Sequence, residues 1–73
     1  MNLSKTINRS KLLKVTSDMG YSTYLRHEIM LLFKNIPENE NEAIAQKMIS
    51  IIEQSRTEQE AIQKARQLVE QTQ

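Results

Sequence analysis

Few side chains in this sequence could do chemistry, and they are scattered. His27 is the only imidazole and there is no cysteine. Nucleophilic catalysis needs an activated Ser, Cys or Lys beside a base. His27 and Glu28 are adjacent, so on a helix they point in different directions and make no pair. Ser17, Ser22 and Ser50 read as a last-turn residue, a helix cap and a helix-surface residue. Glu38, Glu40 and Glu42 gather carboxylates, but without the spacing or the distal Glu of a calcium loop. They read as a solvated linker whose acids suit a helix N-terminus. One histidine without cysteine excludes a zinc site of the usual kind. A single glycine cannot build a phosphate-cradling loop. The expectation is a non-enzymatic protein with no cofactor and no metal.

The stretch "TSDMGYSTYLRHEI", Thr16 to Ile29, offers another kind of chemistry. It holds the only glycine, between two helical patterns, as a helix-turn-helix would. Over residues 11–34, Lys11 and Lys14 could meet a phosphate backbone, and Ser22, Thr23 and Arg26 bases or phosphates. Three features oppose this DNA-binding reading. Thr16 stands where a small residue usually lets the two helices approach. Arg26 stands where an apolar anchor is usual. The second helix also carries so many apolar residues that it reads as a buried, central helix. DNA binding by a degenerate helix-turn-helix is therefore the alternative.

The elements that position these residues are all helices. Leu12, Val15 and Met19 share one face, while Ile7 and Leu13 fall off it; the spacing predicts a helix over Ser10 to Met19, with Ser4 as an alternative start. Residues 1–9 are the part expected to fray, Met1–Leu3 first. Gly20 would end this helix as its left-handed residue. Ser22 caps the next helix, whose stripe is Leu25, Ile29, Leu32, Phe33 and Ile36. Pro37 stops it near Lys34 or Asn35. Residues 36–39 form the linker, and Asn39 with Glu42 resembles a capping box. Ile44, Met48, Ile51 and Ile52 then mark a helix over Glu40 to Gln54. Thr57 and Glu60 form a second capping box, ahead of Ile62, Ala65, Leu68 and Val69 in a helix over Glu58 to Thr72. The stripe keeps phase across the break, so one long coiled-coil helix over 40–72 is a competing reading. A seam that turns polar at Ser55 and Glu58, and the Thr57 cap, favour two helices.

The chain has 73 residues, one Gly and one Pro, a net charge of +1 and many strong helix formers. It predicts one all-α domain over residues 1–73: a small bundle of three or four short helices, closed by a C-terminal helical hairpin packed on the second helix. The net charge hides an asymmetry. Residues 1–36 set six bases (Lys5, Arg9, Lys11, Lys14, Arg26, Lys34) against Asp18 and Glu28, a balance of +4. Residues 37–73 set four bases (Lys47, Arg56, Lys64, Arg66) against seven glutamates, a balance of −3. The basic half would meet the acidic half, in one chain or across a dimer, or an acidic partner. The longest apolar run, Ile29 to Phe33, is too short to span a bilayer. No secretory signal is evident. The expectation is a cytoplasmic protein, a small regulator or adaptor of the bacterial or phage kind. It would bind a protein partner through surplus apolar surface at Tyr21, Tyr24, Met30 and Leu31, with homodimerisation through the second or third helix a further expectation.

Overall fold

The computed structural model describes residues 3–72, and the side chains of residues 4–71. Among these the chain forms four α-helices and no strand: α1 (Leu3–Asp18), α2 (Thr23–Lys34), α3 (Asn41–Gln54) and α4 (Glu58–Thr72). The all-α fold is as the helical periodicities require. α1 begins two turns before Ser10, so residues 3–9, where fraying is expected, are helical; Met1 and Asn2 lie outside the described residues.

Local chemistry sets each boundary. Gly20 takes a left-handed φ of +77°. The Gly20 N–H donates to the Ser17 carbonyl and the Tyr21 N–H to that of Thr16, both at 3.0 Å. This is the double closure that satisfies orphan carbonyls at a helix end. Thr16 is fully buried, its hydroxyl donating to the Leu12 and Leu13 carbonyls. Met19, expected on the inner face, is 45% exposed, because the helix has already ended at Asp18. Ser22 Oγ caps α2 by accepting from the Leu25 N–H at 3.3 Å. The Ser22 N–H in turn donates to Glu58 of α4 at 2.7 Å, so one carboxylate serves the N-terminal ends of two helices.

The linker departs from expectation. Pro37 starts a single 3-10 turn over Glu38–Glu40, and the chain enters α3 already wound, without a side-chain cap. Asn39 therefore caps nothing. Asn41 instead closes the turn with its own amide, donating to the Glu38 carbonyl. Farther on, Ser55 takes an extended conformation and turns both its N–H and its hydroxyl onto the Ile51 carbonyl. Thr57 Oγ1 accepts from the Glu60 N–H at 3.1 Å, while the Glu60 carboxylate takes the Arg56 N–H rather than that of Thr57. The helix breaks here. A continuous helix over residues 40–72 would be about 50 Å long, whereas the longest dimension of the molecule is 33 Å.

α1 packs mainly on α3, and α2 on α4; α1 also touches α2, and α3 touches α4. The helices thus form a ring around one core of Leu12, Tyr21, Ile29, Phe33, Ile36, Ile44, Met48, Ile52, Ala61, Ile62, Ala65 and Val69. This corrects the reading of α2 as the central helix. Each helix gives one face to a core enclosed by all four, and of the surplus apolar residues of α2, Tyr24 and Leu31 are exposed while Met30 is half-buried against the core. The C-terminal hairpin packs on α1 as well as on α2.

Two long-range polar contacts fix α1. Asn8 and Asn41 are both buried, and the Asn8 amide donates to Asn41 Oδ1 at 2.5 Å. Lys5 Nζ donates to the carbonyls of Lys34 (3.0 Å) and Ile36 (2.8 Å), so α1 supplies the cation that satisfies the C-terminal end of α2.

Candidate functional site

Where α1 and α2 diverge they leave an open groove of about 560 Å³. α1 contributes Lys5, Thr6, Arg9 and Leu13, and α2 contributes His27, Met30, Leu31 and Lys34. Both sets follow helical rows, so each helix presents one face to the groove. A shallower extension, lined by Thr23 and Arg26, continues past the Leu13 and Met30 end. The floor is apolar: Met30 and Leu13 are half-buried, Leu31 is 44% exposed, and Phe33 lies buried beneath.

The rim is basic. Lys5, Arg9 and Lys34 line the groove, Arg26 lines its extension, and Glu38 is the one carboxylate among the lining residues. The acid carried by α2, Glu28, is drawn to the opposite side by Arg66 of α4 at 3.5 Å. The charge asymmetry of the sequence thus becomes a local field along one groove.

The expected partner surface is only partly assembled. Tyr21 is 9% exposed and belongs to the core, its hydroxyl donating to the Ile52 carbonyl at 3.4 Å. It closes the α1–α2 turn from inside, so it presents no surface. Burial, then the charges of Glu58 and Glu60, push its phenol above the ordinary tyrosine range. Met30 and Leu31 line the groove. Tyr24, 70% exposed, lies seven residues before Leu31 on the same side of α2, just outside it.

The expected nucleic-acid set is split. Thr23 and Arg26 line the extension. The Ser22 hydroxyl is engaged as a helix cap. Lys11 lies two residues, about 200° of helical turn, from both Arg9 and Leu13, and it faces away from the groove. Lys14 is exposed and also lies off the lining row of α1. Reasoning from sequence missed Lys5, Arg9, Leu13 and Lys34. The signal for the first three was present in the row at positions 5, 9 and 13, visible only once the helix is extended back past Ser10.

Among the described residues no three His, Asp or Glu side chains stand together as a metal site would need. Nor is any helix among the described residues long and apolar enough to cross a membrane. No protein-family model, curated protein or solved structure matches the chain, so its function is argued from the groove's own chemistry.

Proposed function

We propose that this protein is a small non-enzymatic adaptor or regulator that works by holding a protein partner in the α1–α2 groove. The observation that carries this reading is the apolar floor of Leu13, Met30 and Leu31, in a groove that among the described residues only α1, α2 and Glu38 line. Its volume is in the range of functional clefts, but it is open along its length, as suits a macromolecular segment better than an enclosed small molecule. The alternative, DNA binding through residues 11–34, draws support from the basic half of the chain. It loses support from the separation of Lys11 and Lys14 from Thr23 and Arg26.

The test is affinity capture from the native host with the wild-type chain and a Leu31→Glu variant. Leu31 is exposed, so the variant should fold, which circular dichroism checks. The expected result is a protein that co-purifies with the wild type and is lost from the variant. A partner retained equally by both would place the contact elsewhere. Recovery of nucleic acid alone, at low salt, would favour the DNA-binding alternative.

A further inference from the structure

Resting on the groove reading above, we infer that the segment received there is an amphipathic helix with acidic flanks. Shape comes first. The lining row of α2 runs from Thr23 to Lys34, about 17 Å or three helical turns. No strand exists among the described residues, so no sheet edge offers hydrogen bonds to an extended peptide. An incoming segment must satisfy its own backbone and contribute only side chains, which a helix does. Leu13, Met30 and Leu31 then receive apolar residues spaced i, i+3, i+4 and i+7, and the incoming helix adds a further member to the bundle.

Charge selects the flanks. Arg9 and Lys5 edge the groove on α1, with Lys34, Arg26 and the His27 ring on α2, against Glu38 alone. Lys5 is held in place by the carbonyls it caps. Arg26 is half-buried and lines the extension, where its positive charge would meet a carboxylate on the incoming segment. Acidic side chains on both edges of an apolar stripe match this arrangement; basic ones would be repelled.

The same chemistry excludes the chain itself as the occupant. A two-fold dimer through the groove would set the basic rim of one copy against the same basic rim of the other. α4 of a second copy has acids, but its apolar stripe of Ala61, Ile62, Ala65 and Val69 is already buried in its own core. A nucleic-acid backbone would meet the cations and leave the apolar floor uncovered.

The test is selection from a displayed library of three- to four-turn helices. The apolar stripe is drawn from Leu, Ile, Met and Phe, and the flanking positions from Asp, Glu, Lys, Arg, Ser and Gln. The expected winners carry Asp or Glu at the flanks and shift the methyl resonances of Leu13, Met30 and Leu31. Their affinity should fall about tenfold in an Arg9→Glu, Lys34→Glu double variant, and less in the Arg9→Gln, Lys34→Gln pair, which guards against misfolding of the first. Winners that shift the same methyls but carry neutral or basic flanks would overturn the acidic-helix inference and leave the groove reading standing. A library yielding no binder at these methyls would overturn both. A mixed-sequence DNA duplex that binds more tightly than any winner, and is indifferent to Leu31→Glu, would overturn both in favour of nucleic acid.

Discussion

The Asn8–Asn41 pair provides a quantitative test of how α1 is held. Replacing Asn41 with Ala removes the acceptor of the Asn8 amide and the donor to the Glu38 carbonyl together. Asn8 is 6% exposed, so water reaches its orphaned amide poorly, whereas the exposed Glu38 carbonyl keeps the Asn41 backbone N–H. A buried polar group left unpaired costs about 1–3 kcal/mol, and the lost side-chain bond to Glu38 adds about 0.5–1.5 kcal/mol, which sets Asn41→Ala at about 2–4 kcal/mol. In Asn8→Ala, Asn41 keeps its bond to Glu38 and a long contact from the Ser4 hydroxyl at 3.4 Å. That variant should cost about 1–2 kcal/mol. The double variant leaves neither amide behind, so it should cost less than the sum of the two by about 1 kcal/mol or more. In a domain this size each kcal/mol lowers Tm by about 4–8 °C, so Asn41→Ala melts roughly 8–32 °C early. Urea titrations followed by circular dichroism on the four proteins of the cycle provide the check. Additivity within about 0.3 kcal/mol would refute the pairing and show two independently solvated amides. Because the N-terminal half of α1 carries Lys5 and Arg9, the same variants should also weaken binding of an acidic helix.

Two further outcomes follow from the turn between α1 and α2. At Gly20 an added Cβ would meet nothing within 4 Å, so Gly20→Ala should cost only the left-handed strain, about 1–2 kcal/mol. Gly20→Asn should cost less; equal Tm values for wild type and the Ala variant would contradict the conformational argument. Tyr21 has a phenol whose folded pKa is raised above its unfolded value, so its contribution is complete below about pH 10 and is lost as pH rises above that. Alkaline denaturation should therefore be shallower in Tyr21→Phe than in the wild type. Superimposable profiles would show that Tyr21 ionises alike in both states.

How much was legible in the sequence follows the range of the interaction. The Gly20 stop, the Ser22 and Thr57 caps and the Pro37 stop are closed by partners within a few residues, so residue type and spacing reveal them. Asn39 misled because its pattern was right while Pro37 had already wound the chain into a 3-10 turn. The apolar abundance of α2 misled in another way. Composition shows that a helix has more than one apolar stripe, but not whether neighbours cover each of them. Tyr24 and Leu31 are exposed and Met30 is half-buried against the core, whereas Tyr21 of the same group turns inward at the bend.

The sequence by itself determined the all-α class and most of the helix ends, because helix periodicity and capping are local; it left three or four helices open and started α1 two turns late. It also determined the basic and acidic halves, which need only a count. Tertiary structure alone decided the rest. Lys5 meets the α2 terminus across 29 and 31 residues, and Asn8 meets Asn41 across 33. Which helix faces stay open depends on how four helices share one core. Pairing α1 with α3 and α2 with α4 leaves a seam between α1 and α2, and there scattered cations and surplus apolar residues become one groove.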